Sequence, residues 1–245
     1  MVDPNVGAQD SVYVGSLIGG LGKGTISSCC AQRGRVSGGN FVGGLIGWNY
    51  HGTVINCYAG SDVEGQCGVG GVIGKGYETI TNCYSVGNVS SDANIVGGFA
   101  GYNKGTISSS FWDNQTCGAS HGVGETGEGA VTGVTGKTTD QMQTVGTFTD
   151  GGWDFKGESV NGTEDIWTIC EGETYPILVR QRFIGDFVGL DGVDMADFAV
   201  LASAWRSTNG EDNWCSVCDI SEPNDAVIDE GDLSVFADNW LAHAR

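Results

Sequence analysis

The sequence predicts a mainly β chain: a parallel β-solenoid (β-helix) of about four 27-residue coils with a cap, followed by a small α-helical domain. Three observations carry this. A glycine-rich line is written four times at near-constant spacing. Each copy breaks into apolar segments too short and too rich in glycine for helices. After the copies end, two acid-rich loops each run into an amphipathic stretch.

The copies begin at the Val-Gly pairs Val14, Val42, Val69 and Val96, in steps of 28, 27 and 27 residues. Self-similarity at such a period marks units that bury their faces only against one another. In the second copy the segments are Phe41 to Ile46, Thr53 to Tyr58, and a short piece around Val63. Stacked in register about 4.8 Å apart, the copies predict three ladders. Leu17, Leu45, Val72 and Phe99 form one apolar ladder, and Ile26, Val54, Ile80 and Ile107 another. Cys29, Cys57, Cys83 and Ser110 form the third. The cysteine ladder reads either as a metal or redox site or as small buried side chains. The second reading is preferred, because a free cysteine is among the most buried residue types. The glycines are expected at corners with positive φ and in the tight interior.

Bulk numbers bound the rest. Gly at 43 of 245 residues is far above the usual share of about 7%, and 40% apolar content suffices for a core. A net charge of −19 argues against a nucleic-acid partner, since phosphate contacts need Lys and Arg. No apolar run approaches the roughly 18 residues of a membrane helix, so no membrane insertion is expected. The opening "MVDPNVGAQD" lacks the basic end and apolar stretch of a signal peptide. The expectation is an export signal already removed, or a fragment of a longer chain. Nine cysteines leave at least one unpaired, or paired between chains, outside the cell. Sequons at Asn88, Asn114 and Asn161 permit glycosylation.

The blocks "VGGLIG" and "GTVINCYA" resemble the GLUG repeat of bacterial surface and secreted proteins, over about residues 12 to 116. The resemblance implies an adhesive or cell-surface-associated protein, extracellular or on the cell surface, with a cell-surface polysaccharide among its candidate partners.

Residues 117–181 read as a capping segment. "CGASHGVGETGEGAVTG" reads as a loop. "TTDQMQTV" offers a short helix, with Thr138 as cap and Gln141 three residues on. Trp153, Trp167 and Tyr175 supply aromatics to close the open strand edges of the last coil, and a Cys117–Cys170 bridge is weighed.

Residues 182–245 hold 13 Asp and Glu against 3 Lys and Arg, a balance of −10. "ADFAVLASAW" and "GDLSVFADNW" match at an offset of 35 residues. Phe198, Leu201 and Trp205 follow Asp197, and Leu233, Phe236 and Trp240 follow Asp232, at +1, +4 and +8, one helix face. A calcium loop needs oxygen ligands alternating along a tight turn, one of them a backbone carbonyl. In the second loop Asp219, Ser221, Asp225, Asp229 and Asp232 offer side-chain oxygens and Val227 its carbonyl. Two residues are inserted near Glu222 and Pro223 relative to the twelve-residue pattern, and the last ligand is Asp rather than Glu. The first loop offers Asp186, Asp191, Asp194 and Asp197, and is about one residue short between Asp191 and Asp194. Against calcium stands the reading that these acids only cap helices. The pair Cys215 and Cys218 reads as a local disulfide.

The duplicated loop and helix, over about residues 184 to 242, resemble a type I dockerin. The resemblance implies a calcium-binding, dockerin-like domain that docks onto a cohesin-like protein module. Many dockerins place Ser-Thr before the last ligand; here Met195-Ala196 and Glu230-Gly231 hold those places.

No nucleophile motif surrounds His51, His121 or His243, and the spacing of "GGLGKGT" is wrong for a phosphate loop. The sequence therefore predicts a non-catalytic structural or adhesion protein, attached or assembled through the dockerin-like module. The alternatives are a self-assembling filament or surface-layer subunit, and a carbohydrate-active enzyme on a β-helix scaffold.

Overall fold

The computed structural model describes residues 5–91, 95–179, 184–187, 193–221 and 225–240, with the side chains of 8–10 excepted. The chain divides into two compact units, Met1–Thr139 and Asp140–Arg245.

The first unit is a parallel β-solenoid of three sheets. One holds Asn5–Gly15, Arg35–Gly43, Asp62–Gly65, Cys67–Gly70, Val89–Ser91 and Val96–Gly97. The next stacks Ile18–Leu21, Ile46–Asn49, Ile73–Gly76, Ala100–Asn103 and Val123–Thr126. The third stacks Gly24–Ser27, Gly52–Ile55, Ile80–Thr81 and Thr106–Asp113, continues through Cys30–Ala31, Tyr58–Ala59 and Tyr84–Ser85, and adds Val131–Lys137.

The register is the one the repeats predict. Val14, Val42, Val69 and Val96 pair in succession, as do Ile26, Val54, Ile80 and Ile107. Leu45, Val72 and Phe99 are fully buried, and their backbones are linked from turn to turn. The cysteine ladder forms inside the tube. Cys57, Cys83 and Ser110 are buried, and each donates to the carbonyl two residues before it: Ile55 at 3.2 Å, Thr81 at 3.2 Å and Ser108 at 2.8 Å.

Two expectations are corrected. The solenoid has about five turns, not four, and it runs past residue 116. Val123–Thr126 pairs with Ala100–Asn103, and Val131–Lys137 pairs with Thr106–Asp113, so much of the stretch read as a loop belongs to the solenoid rather than to a cap. The corners, too, are not all turned by glycine. Ser28, Asn56, Asn82 and Ser109 adopt φ of 51°, 53°, 51° and 43° at equivalent corners. Asn tolerates this left-handed region better than most residues. The repeat glycines serve close approach instead. A Cβ at Gly47, Gly74 or Gly101 would meet the backbone of Tyr13, Phe41 or Gly68 well inside contact distance.

In the second unit Trp153 and Trp167 are fully buried, with ring centroids 4.7 Å apart. Phe148 packs beside Trp153 at 5.0 Å. Trp167–Thr168 pairs antiparallel with Ile177–Leu178. Two helices follow, Met195–Ser203 and Glu230–Asn239. Their faces share one core with Phe187, Val193, Val217 and Ile228. Leu201 and Phe236 are buried as predicted, and the Phe236 ring lies 6.0 Å from Phe198 and 5.4 Å from Trp240.

The disulfide also departs from expectation. Cys170 joins Cys215, and neither Cys117 nor Cys218 takes part in it. Cys117 is buried within the solenoid core, while Cys170 packs with Phe187 and Val193 in the second unit's core.

Candidate functional site

Both acid-rich loops end in the same construction. Asp194 and Asp229 are the N-caps of the two helices, in extended backbone. Their Oδ1 atoms accept from Ala196 N and Gly231 N, each at 2.7 Å. Three residues on, Asp197 and Asp232 reach back to the N-cap amides at 2.8 and 2.9 Å. This is a capping box with aspartate in both roles, and it satisfies backbone donors that a helix start leaves orphaned.

The second oxygen of each N3 aspartate ties in the start of its loop. Asp197 Oδ1 accepts from Phe187 N at 2.5 Å, and Asp232 Oδ1 accepts from Ile220 N at 2.7 Å and Ser221 N at 2.9 Å. Val193 and Ile228, each just before its N-cap, plug both loops into the core. The described ends of the two loops repeat one construction.

Of the predicted ligands, Asp186, Asp194 and Asp197 are found in the first loop, and Asp191 lies outside the described residues. Asp186 and Asp197 are fully buried. In the second loop, Asp225 Oδ1 accepts from Val227 N at 3.0 Å. Ala226 between them sits at φ 63°, a left-handed position that turns the loop sharply. Asp219 Oδ2 accepts from Ala226 N at 3.2 Å. Its Oδ1 is buried with no hydrogen-bond partner among the described residues. Burial pushes the Asp219 carboxyl up from its ordinary range, and the charges of Asp232 and Asp225 push the same way against the Ala226 amide and the Lys156 charge. A buried carboxylate oxygen without a donor is a place a cation fits. Asp219 also lines a cavity of about 490 Å³ with Lys156, Glu158 and Glu171.

The carboxylates are nonetheless largely occupied by backbone amides. Among the described residues, no three His, Cys, Asp or Glu side chains form a group that would hold a metal. In the second loop Asp219 Oδ1 is the oxygen without a donor among the described residues, while Asp225 and Asp232 accept backbone amides.

Two further features escaped the sequence reading. Met195, Phe198, Leu233, Phe236, Ala237 and Trp240 line an apolar groove of about 410 Å³, with Met195 66% exposed. On the solenoid, a half-exposed aromatic strip joins Tyr13, Phe41, Trp48, Tyr50, Tyr77 and Tyr102. Lys75 stands 4.5 Å from the Phe41 ring centroid. Trp48, Lys75 and Tyr102 share one register position, so their 27-residue step was the available signal.

Cys29 is pushed well above the ordinary thiol range by its hydrogen bond with Cys57 and by burial, and Cys57 is raised too, the lowering hydrogen bond with Cys29 being outweighed by its hydrogen bond with Cys83 and by burial. Neutral, buried thiols are inert.

The GLUG motif matches residues 38–64, which contain the second turn. A protein of Evansella cellulosilytica named as a Gly-rich membrane protein is 36% identical over 142 residues. That match covers 57% of this chain and 12% of the relative, so the chain spans a small part of that protein's length. No solved structure matches the chain.

Proposed function

We propose that this chain is a non-catalytic, extracellular surface protein whose solenoid serves as a structural and adhesive body. Its C-terminal unit binds calcium and connects it to a protein partner. The GLUG motif and the Gly-rich membrane protein of Evansella cellulosilytica support a surface-type protein. No helix among the described residues is long and apolar enough to cross a membrane.

The observation that carries the calcium reading is Asp219 Oδ1, buried and without a hydrogen-bond partner among the described residues at the start of a loop whose end is built as an aspartate capping box. Calcium would draw Asp219, Asp225, Asp232 and the Val227 carbonyl together from an arrangement in which no three acids are grouped among the described residues, and would offset the mutual repulsion of these acids. The apolar groove between the two helices gives a protein partner a surface to grip. A cell-surface polysaccharide would meet the aromatic strip of the solenoid.

The test is a calcium titration of the full chain by calorimetry, with circular dichroism alongside. Saturable binding, abolished by Asp219→Ala, supports the reading. Absence of heat at millimolar calcium would leave the aspartates as helix caps alone and remove the calcium connector.

A further inference from the structure

We propose, resting on the polysaccharide reading above, that the aromatic strip binds an acidic polysaccharide, an extended chain of uronic-acid sugars lying along the axis of the solenoid. Two columns of side chains make the strip. Trp48, Lys75 and Tyr102 are paired from turn to turn. Tyr50, Tyr77 and Lys104 form the column beside them, each following the paired Asn49, Gly76 or Asn103. All six lie in the second, third and fourth turns, which have a turn on either side. They therefore open on the flank of the tube and not at its end. Ile46, Ile73 and Ala100, in the same strands, are fully buried. Tyr50 is 44% exposed, Lys104 is exposed and the other four are half-buried.

The rings and their spacing suit a sugar chain. Tyr50 and Tyr77 stand 6.0 Å apart by ring centroids, Tyr77 and Tyr102 stand 6.2 Å apart, and Trp48 lies 4.8 Å from Tyr50. Neighbouring strands lie about 4.8 Å apart, close to the length of one sugar in an extended pyranose chain. Tyr and Trp give such a ligand broad, rigid, amphipathic contact at little entropy cost. Two columns over three turns make a narrow track, which fits a single chain better than the broad face that a folded protein partner needs.

Charge decides the class. Lys75 Nζ stands 4.5, 5.2 and 5.6 Å from the ring centroids of Phe41, Tyr77 and Tyr102, held among them by cation–π attraction. Among the described residues neither Lys75 nor Lys104 is joined to an acid, although the chain carries 30. Glu78, beside Tyr77, is engaged with His51 at 3.2 Å. Residues 1–139 hold 9 Asp and Glu against 6 Lys and Arg, so most of the net charge of −19 belongs to the second unit. Two lysines one turn apart meet carboxylates on successive sugars, which a polyuronate carries on every ring. Glu125 takes the fifth rung of the first column and ends the track for an anionic chain.

Calorimetric titration of the full chain with polygalacturonate and with alginate tests this, in chelator so that calcium bridges neither polymer nor protein. Cellohexaose serves as the neutral glycan and polyphosphate as a polyanion without sugar rings. The expected result is saturable binding of a polyuronate that weakens as salt is raised, with cellohexaose and polyphosphate bound more weakly. Tyr50→Ala weakens it roughly tenfold. Lys75→Met and Lys104→Gln each weaken it roughly fivefold, with unchanged circular dichroism, and Lys75→Arg retains it. Cellohexaose bound as tightly as the polyuronates, or polyuronate binding indifferent to both lysine variants, overturns the acidic class and leaves a polysaccharide partner standing. Polyphosphate bound as tightly as the polyuronates shows that charge alone acts, and overturns the sugar track. Binding of neither polyuronate nor cellohexaose overturns this proposal together with the polysaccharide partner it rests on.

Discussion

A methyl group added at Gly74 would place its carbon against the backbone of Phe41 and Val42, with no flexible side chain to yield. Overpacking of a tight interior costs about 1–3 kcal/mol even where side chains can move. Gly74→Ala is therefore expected to cost about 3 kcal/mol or more, read as a lower urea midpoint. Gly20, with nothing within 4 Å of its would-be Cβ, should accept alanine with almost no change. Equal effects of the two would refute the view that repeat glycines serve close approach. The cysteine ladder supplies a companion case. Ser110 holds the fourth rung and makes the same bond to the carbonyl two residues back as Cys83 does. Cys83→Ser should therefore cost no more than about 1 kcal/mol, whereas a metal or redox role would make it costly to function.

At the scale of the element, capping and cation binding make opposite predictions. Asp229→Ala removes an N-cap and should cost about 1 kcal/mol with or without calcium. Asp219→Asn should leave the calcium-free unit unchanged or slightly more stable, because Asn can still accept from Ala226 N, and the relief from burying a charge and from repulsion by Asp232 and Asp225 outweighs the lost attraction to Lys156. It should erase the stabilisation by calcium, which for the parent chain is about 2.7 kcal/mol at a hundredfold excess over Kd. Thermal melts of both variants with calcium and with chelator check this. If Asp219→Asn left the calcium gain intact, Asp219 would not be a ligand. The helices were legible in the sequence, since Asp197 and Asp232 stand at the same place before the same apolar face, whereas capping was read there only as the alternative to calcium. The fifth turn was not. Its strand puts Thr132 where Ile107 stands one turn earlier, and its Val131 is 54% exposed, so the apolar period that marks the other turns fades there. What survives is Gly124, at the step after Val123 that Gly101 takes after Ala100, too faint a sign alone. Register follows from periodicity, but disulfide pairing follows from which segments share a core. Cys170 and Cys215 are 45 residues apart, and no spacing rule joins them.

For the whole molecule, each unit encloses a buried cluster of its own, one running from Val14 to Cys117 and the other from Cys170 to Phe236. Two heat-capacity transitions should therefore appear on scanning calorimetry, and each perturbation should move one of them. The Cys170–Cys215 bond closes a loop of 45 residues in the second unit. In the chain-entropy account, removing such a cross-link costs about 4 kcal/mol, and typical measured values are about 2–4 kcal/mol. Cys170→Ser should lower the transition of the second unit and leave that of the solenoid in place. Gly74→Ala should do the reverse, and calcium should raise only the transition that Cys170→Ser lowers. The solenoid's sheets are made of contacts about 27 residues apart in sequence, repeated from turn to turn, so its transition should also broaden as variants weaken one turn, as expected where stability is a sum over neighbouring repeats. A single transition shifted alike by all three perturbations would mean that solenoid and acidic unit fold as one body, and that calcium acts on the whole chain rather than on its connector.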